Sequence, residues 1–243
     1  MRVSAVIPAY NEEERVADTV RALLGSPLID EVVVVDDGSR DRTAIRAAAA
    51  GARVVSLPRN RGKSAALAAG VREAQGEVLL FVDADVGRSA ALLPLLLGPV
   101  LAGKADMVIA DLLPPVATSA VRHRTRGGGF GLAVGAAARA VRELTGWQPR
   151  SPLSGQRALR REVWERASPL PPGFGVEVAL TIRSLLQGFR VMELPVAFEH
   201  RVTGWDWRSI YHRAKQWWAI RRAIRICRRE ALSDKGGGVP WMQ

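Results

Sequence analysis

The stretch that decides the fold runs from Val3 to Asp37 and reads VSAVIPAYNEEERVADTVRALLGSPLIDEVVVVDD. It begins and ends with short apolar runs rich in β-branched residues, which are typical of buried parallel strands. Between these runs, apolar residues recur at helical spacing, in a segment that Asn11 can cap and Gly25 ends. The stretch therefore predicts a β-α-β unit.

The same alternation continues through the first half of the chain. It predicts further strands at 54–57, 78–82 and 107–110, and further helices at 42–50, 63–74 and 90–101. Short connections between such units favour right-handed crossovers and a sheet with helices on both faces. We therefore predict an α/β fold with a doubly wound, mostly parallel sheet. After residue 111 the pattern predicts helices at 132–145, 176–187 and 207–231 and a strand at 190–198.

The length of 243 residues is enough for one sizeable core. We expect a main domain at 1–204, divided into a first half at 1–112 and a second half at 113–204. A basic amphipathic helix is expected at 205–232 and a flexible tail at 233–243. No apolar run reaches the roughly 20 residues of a membrane span, and the first residues lack the pattern of a signal peptide.

The formal net charge is +11, which favours an anionic partner. Nine Arg or Lys residues lie between residues 201 and 230 against two acidic residues, so most of the excess is C-terminal. Apolar residues at three-to-four spacing leave a basic opposite face on this helix, which could dock on the core or lie on an anionic membrane. The single cysteine, Cys227, excludes an intramolecular disulfide and indicates a cytoplasmic protein.

The residues that follow the strands point to the chemistry, because ligands of open parallel sheets bind at the carboxyl ends of the strands. Neither a G-x-G-x-x-G fingerprint nor a P-loop occurs, which argues against a nicotinamide dehydrogenase and a P-loop NTPase. Asp83 and Asp85 emerge from the wholly apolar run 78–82, and such a pair can bind Mg2+ or Mn2+. The alternative is that these aspartates cap a helix or close a turn.

A basic cluster at the start of a predicted helix indicates an anion site. Arg59, Arg61 and Lys63 lie where the helix dipole is already positive, and a diphosphate would reverse that unfavourable sign. The backbone N–H groups around Gly62 would bind it together with Lys63. Alternatively, the three side chains simply extend into solvent.

Two further acidic positions have structural and functional interpretations. Of Asp36 and Asp37, one is expected to orient the following turn and the other to accept from a base or ribose. Glu12 is either a ligand-binding residue or simply a favourable acid in the first turn of its helix.

Four motifs in order carry a specific resemblance: VIPAYNEE (6–13), VVDDGSRD (34–41), NRGKSAAL (60–67) and FVDAD (81–85). Together they resemble the nucleotide-sugar half of family 2 glycosyltransferases with the GT-A fold. The resemblance implies that Asp83 and Asp85 hold the metal and diphosphate. It also implies a set of residues around the nucleotide: Pro8, Ala9, Tyr10, Glu12, Asp37 and Lys63. We expect Gly62, Asp83 and Ala84 to bind the donor as well.

The second half resembles two groups of relatives. SGQRALRREV (154–163) is similar to a segment of polyprenyl-phosphate sugar synthases of the dolichyl-phosphate mannose synthase type. PLSG (152–155), PGFGVE (172–177) and FEHR (198–201) resemble glucosyl-3-phosphoglycerate synthases. This second resemblance implies that Glu177 contacts the sugar and that His200 completes the metal shell. The chain departs from the first group at Gly87, where a glutamine is frequent, and from the second at 130–132.

The predicted function is metal-dependent glycosyl transfer from a UDP- or GDP-sugar, with Asp85, Lys63 and Glu177 as catalytic residues. The preferred acceptor is polyprenyl phosphate in cell-envelope synthesis. The enzyme is expected in the cytoplasm, either free or attached peripherally at the inner face of the membrane. The alternatives are transfer to a small soluble acid, and a non-catalytic protein that binds a nucleotide or nucleic acid; nucleic acid is not an expected partner of the enzyme. The sequence leaves the oligomeric state open, and a homodimer is one of the alternatives. The residues expected to bind the acceptor are Arg122, Arg124, Arg126, Ser154, Gly155, Gln156 and Arg157.

Overall fold

The computed structural model describes residues 1–113, 129–173, 175–197 and 207–234. The strands are β1 (Val3–Ala9), β2 (Glu31–Asp36), β3 (Arg53–Ser56), β4 (Val78–Phe81), β5 (Met107–Leu113), β6 (Arg157–Arg160) and β7 (Val191–Ala197). The α-helices are α1 (Val16–Leu24), α2 (Thr43–Ala49), α3 (Lys63–Glu73), α4 (Leu97–Leu101), α5 (Gly129–Thr145), α6 (Arg161–Ala167), α7 (Val176–Leu186) and α8 (Trp207–Asp234). A 3-10 helix spans Ala84–Leu96 and is kinked at Gly87, whose backbone is not helical (φ 63°, ψ −143°).

In the described part of the chain, the strands form one mixed sheet in the order β3-β2-β1-β4-β6-β5-β7. β1, β2, β3 and β4 pair in parallel, and so do β5 and β7. β6 is antiparallel to both β4 and β5. The predicted α/β class and mostly parallel sheet are confirmed. The sequence prediction omitted β6, because its four residues, RALR, carry two arginines and no β-branched residue.

Helices cover both faces of the sheet because side chains alternate along each strand. Ile7 of β1 packs on one face, in a cluster with residues of α1 and the 3-10 helix. Val6 packs on the other face, in a cluster that includes residues of α3, α6 and α7. On this second face Phe81 meets Trp164 edge to face, with the ring centroids 5.2 Å apart.

Two helices differ from the sequence prediction, one in where it begins and the other in its helix type. α1 begins at Val16 rather than at Asn11, because Asn11 has a positive φ of 56° and the Glu12 N–H donates to Thr43 Oγ1. The expected helix at 90–101 is a 3-10 helix up to Leu96, and only then an α-helix. Pro94 lacks the N–H that a continuous α-helix would need, which accounts for this difference.

One helical stretch among the described residues, Ala84–Leu101, is long and apolar enough to cross a membrane by length and composition. Leu93, Leu96 and Leu97 of this stretch are fully buried in the same core cluster as residues of α1 and the sheet. Packing in the protein core therefore explains its apolar composition.

α8 packs on the second half of the chain. Its Ile220, Ile224 and Cys227 are buried in a cluster with residues of α5 and α7. A bidentate ion pair between Arg183 of α7 and Glu230 of α8, with N–O distances of 3.0 and 2.6 Å, fixes the contact. The described part of the apolar stripe therefore faces the protein, which leaves the opposite face of α8 to solvent.

Candidate active site

Parallel pairing brings the ends of β1, β2 and β4 to one edge of the sheet. Ala9 is buried at the end of β1, Pro8 is partly buried, and Tyr10 follows with 41% of its surface exposed. Asp37 follows β2, and Asp83 comes two residues after β4. Asp85 is exposed and Ala84 is buried beside them. The structure thus brings the residues that follow these three strands to one edge, as predicted.

The loop after β1 is held against the loop after β2. The Asn11 N–H donates to Ser39 Oγ at 2.9 Å, and Asn11 Oδ1 accepts from the Arg40 N–H at 2.9 Å. Asparagine tolerates the left-handed backbone that this contact requires. Glu12 follows and is partly buried; burial first, and the negative charge of Asp85 second, raise its pKa to about 7. The two loops therefore hold Glu12 in a negatively charged environment.

The side chains of Asp36 and Asp37 both accept hydrogen bonds from backbone N–H groups. Asp36 accepts from the Ser39 N–H at 3.1 Å, which orients the turn as expected of one of the pair. Asp37 is 3% exposed and accepts from the N–H groups of Arg61 and Gly62, each at 2.7 Å. The Gly62 N–H expected to bind a diphosphate is therefore used by Asp37, whose carboxylate already supplies the negative charge at the start of α3. Asp37 itself offers little surface to a nucleotide in this structure.

Lys63 connects the two halves of the candidate site. Its Nζ lies 2.6 Å from Asp83 Oδ1 and 2.7 Å from Glu177 Oε1. The Lys63 and Glu177 side chains are 17% and 8% exposed, and that of Asp83 is 32% exposed. Burial alone would lower the pKa of Lys63, but the two carboxylates outweigh it and raise the pKa above its usual value. Lys63 is therefore charged at neutral pH and compensates the buried Glu177.

Gly155 and Gln156 lie against Asp83. A Cβ atom on Gly155 would stand 2.6 Å from both Asp83 Oδ2 and Lys63 Nζ, so any other residue here would displace these two side chains. The Asp83 N–H donates to Gln156 Oε1 and Gln156 Nε2 donates to Asp83 Oδ2, both at 3.0 Å. Both residues were expected to bind the acceptor, and the structure places both beside the expected metal ligand.

Arg157 is 1% exposed and supports the loop before β6. Its guanidinium donates to the carbonyl oxygens of Ser154 and Pro152 and to Thr181 Oγ1, at 2.8 to 3.3 Å. Burial lowers its pKa to about 10, so it stays protonated at neutral pH. These contacts favour a role in shaping the loop over direct contact with an acceptor. The Ser154 Oγ is buried and has no hydrogen-bond partner among the described residues.

Thr19 is a site-supporting residue that sequence reasoning missed. It is fully buried on α1, and its hydroxyl donates to the Ala84 carbonyl and accepts from the Gly87 N–H, both at 2.8 Å. These bonds hold the turn that contains Asp85, whose carbonyl also accepts from Arg15 Nη1 at 3.1 Å. In the sequence, Thr19 could have been noticed as a polar residue on the buried side of an amphipathic helix, next to Val16 and Val20.

Several predicted ligands lie outside the described residues: Arg122, Arg124, Arg126 and His200. Among the residues that are described, no group of three or more His, Cys, Asp and Glu side chains is placed to hold a metal ion. Asp83 and Asp85 nevertheless fit Mg2+ or Mn2+, which need few protein carboxylates when substrate phosphates supply further oxygens. The contact between Asp83 and the Lys63 ammonium shows that this carboxylate already faces a positive charge.

Comparisons with known proteins identify the family of this chain. The sequence model of glycosyl transferase family 2 matches residues 4–128, and the chain belongs to this family. The chain is 35% identical over 197 residues to glucosyl-3-phosphoglycerate synthase of Mycobacterium tuberculosis, covering 74% of this chain and 60% of that protein. It is also 30% identical over 215 residues to dolichol-phosphate mannosyltransferase of Pyrococcus furiosus, covering 84% of this chain and 58% of that protein. The chain thus spans about three fifths of these relatives.

Solved structures of a related enzyme have a similar fold. The M. tuberculosis glucosyl-3-phosphoglycerate synthase bound to phosphoglyceric acid matches 93% of this chain and 79% of its own, with a TM-score of 0.75 and 29% identity. The same enzyme with Mn2+, uridine diphosphate and phosphoglyceric acid matches 93% of this chain and 78% of its own, with a TM-score of 0.71 and 28% identity. The fold is therefore of the GT-A type, as the sequence motifs implied.

Proposed function

We propose that this chain transfers a glycosyl group from a nucleotide-sugar donor to a phosphorylated acceptor. The observation that carries the proposal is the Lys63 ammonium, bonded to Asp83 and Glu177 at the sheet edge of a family 2 glycosyltransferase. Asp83 and Asp85 would hold Mg2+ or Mn2+, with His200 as a further ligand. Related structures contain these metals together with uridine diphosphate, which supports this assignment.

The chemistry follows from the charges at the site. A bound divalent cation would supply positive charge to the departing nucleoside diphosphate. Lys63 adds a second, preorganised positive charge, since it is held in place by two carboxylates rather than by solvent. Glu177 is anchored by Lys63 and is proposed to accept hydrogen bonds from hydroxyl groups of the transferred sugar. Tyr10 is exposed at the edge and is proposed to contact the nucleotide.

For the acceptor we propose a small phosphorylated acid, which the sequence alone ranked second. Among the related structures that match more than nine tenths of this chain, one contains phosphoglyceric acid and another contains glycerol 3-phosphate, and this favours such an acceptor. The arginines at 122, 124 and 126 are proposed to bind its phosphate by bidentate hydrogen bonds. The buried Ser154 hydroxyl, without a partner among the described residues, is proposed to contribute one hydrogen bond to it.

Polyprenyl phosphate is the second candidate acceptor, and the exposed face of α8 favours it. Trp218 is 66% and Leu232 is 70% exposed, and Arg221, Arg222 and Arg225 are exposed between them. Exposed aromatic and aliphatic side chains that flank arginines are typical of helices that lie on anionic membranes. Similarity to the P. furiosus dolichol-phosphate mannosyltransferase points the same way.

A transfer assay separates the candidates. Radiolabelled UDP-glucose and GDP-mannose are offered with Mg2+ or Mn2+ to 3-phosphoglycerate, glycerol 3-phosphate and a panel of polyprenyl phosphates. We expect transfer to a small phosphorylated acid. In parallel, Asp85→Asn should abolish transfer without lowering the thermal unfolding temperature. Nucleotide-sugar binding without transfer to any acceptor would support a non-catalytic protein instead.

Vesicle binding tests the second acceptor separately. If the acceptor is a membrane lipid, wild-type protein should sediment with phosphatidylglycerol vesicles, and a triple Arg→Glu change at 221, 222 and 225 should abolish this. A matched triple change of exposed residues elsewhere, Arg46, Arg72 and Lys104 to Glu, controls for net charge. If the wild-type protein did not sediment with anionic vesicles, the proposal of a membrane-lipid acceptor would be refuted.

A further inference from the structure

Gln156 makes two hydrogen bonds to one residue, Asp83. Its Oε1 accepts from the Asp83 backbone N–H and its Nε2 donates to Asp83 Oδ2, both at 3.0 Å. Gln156 is 4% exposed, so this amide has little contact with solvent. A neutral amide can donate and accept at once, which neither a carboxylate nor an apolar side chain of similar size could do.

The sheet explains why the two residues meet. In the antiparallel pairing of β4 with β6, Phe81 lies opposite Arg157, so the residues just after β4 face those just before β6. The Gln156 carbonyl accepts from the Ala110 N–H at 3.0 Å, which ties the Gln156 backbone to β5. The glutamine is therefore a rigid support, 73 residues away in sequence from the aspartate that it holds.

We propose that Gln156 is a positioning residue that orients the Asp83 carboxylate toward the divalent cation and does not bind the acceptor. The inference rests on the proposed function, since it takes Asp83 as a metal ligand. Gln156 Nε2 binds Asp83 Oδ2, and Asp83 Oδ1 lies 2.6 Å from Lys63 Nζ. The bond to Gln156 therefore fixes the orientation of the carboxylate, with Oδ1 directed toward the Lys63 ammonium. Outer-shell partners of this kind commonly contribute about 10- to 100-fold to metal affinity.

The test compares Gln156→Met, which keeps the approximate volume and removes both bonds, with Gln187→Met as a matched control. Gln187 donates to the Arg166 carbonyl, and this bond is formed by residues outside the candidate site. Mn2+ binding is measured by electron paramagnetic resonance at a fixed UDP concentration. We expect Gln156→Met to raise the dissociation constant for Mn2+ about tenfold, and Gln187→Met to leave it within about twofold of the wild type.

A second measurement uses metal-free protein. Amide hydrogen exchange at Asp83 should be faster in Gln156→Met, because the N–H loses its acceptor, and unchanged in Gln187→Met. Sugar transfer to the acceptor should recover at high Mn2+ concentration in Gln156→Met, with the KM for the acceptor unchanged.

The outcomes are distinct. Unchanged Mn2+ affinity in a folded Gln156→Met variant would overturn the positioning role, and a raised acceptor KM at saturating Mn2+ would return Gln156 to the acceptor site. Wild-type protein that bound no Mn2+ with UDP would refute both the metal site and this role for Gln156. A wild type that binds Mn2+ but transfers no sugar would refute only the proposed function.

Discussion

Replacing Gly155 by alanine should damage the site while leaving the fold intact. The added Cβ would lie 2.6 Å from Asp83 Oδ2, 2.6 Å from Lys63 Nζ and 2.9 Å from Asp83 Oδ1. An ordinary contact needs about 3.4 Å, so these side-chain ends must move by about 0.8 Å. Because the crowded atoms all belong to side chains, the Asp83 carboxylate and the Lys63 ammonium can be displaced, at the expense of their own bonds, without a shift of the backbone.

The magnitude follows from that displacement. Misplacing reacting groups by about 1 Å can lower the rate about 100-fold, which corresponds to about 2.7 kcal/mol. We therefore expect kcat/KM for sugar transfer to fall about 100-fold in Gly155→Ala. The free energy of unfolding should change by less than about 1 kcal/mol, since the entropy lost from the unfolded chain offsets part of the strain.

The assay measures initial rates of transfer, UDP binding with Mn2+ by calorimetry, and urea unfolding on the same samples. Gly135→Ala is the control, because Gly135 lies exposed in α5 and an added Cβ would meet no atom of the described residues within 4 Å. That change should leave the rate unaltered and stabilise the fold by up to about 1 kcal/mol. Full activity of Gly155→Ala would refute the close approach of this glycine to Asp83 and Lys63.

Three further predictions concern charge. Lys63→Met should weaken binding of UDP with Mn2+ about tenfold, because it removes a charge of the proposed diphosphate site; unchanged calorimetric binding would count against it. Glu12 has a raised pKa of about 7, so the stability linked to its proton is complete below about pH 4.5 and lost as the pH rises through 7. In EDTA, Glu12→Gln should therefore have the same free energy of unfolding as the wild type near pH 5 and be more stable by about 1–2 kcal/mol near pH 9. If the two proteins had equal urea midpoints at both pH values, the prediction would be contradicted. Asp106 has its pKa lowered to about 2, mainly by the hydrogen bond from Arg190, so its contribution is complete above about pH 4 and lost as the pH falls through 2. Asp106→Asn should destabilise the fold by about 2 kcal/mol at neutral pH and by less near pH 2; a constant difference between urea curves at the two pH values would exclude the linkage.

The sequence determined the fold class and the edge where the candidate site lies. Apolar runs such as 78–82, alternating with helical patterns, require a sheet covered on both faces, and parallel strands place their following residues together. For this reason the order of strands and helices along the chain was enough to assign Asp83 and Asp85 to the same edge as Tyr10 and Asp37.

Tertiary structure alone decided which partner each polar group takes. Asp37 binds the N–H groups at the start of α3, Arg157 turns inward to support its own loop, and Gln156 holds Asp83 across the antiparallel pairing of β4 and β6. These contacts depend on strand register and on side chains distant in sequence. Periodicity reports only which face of an element is buried, so it carries no signal for them. The sequence thus predicted where the candidate site lies, and packing determined how its polar groups are held.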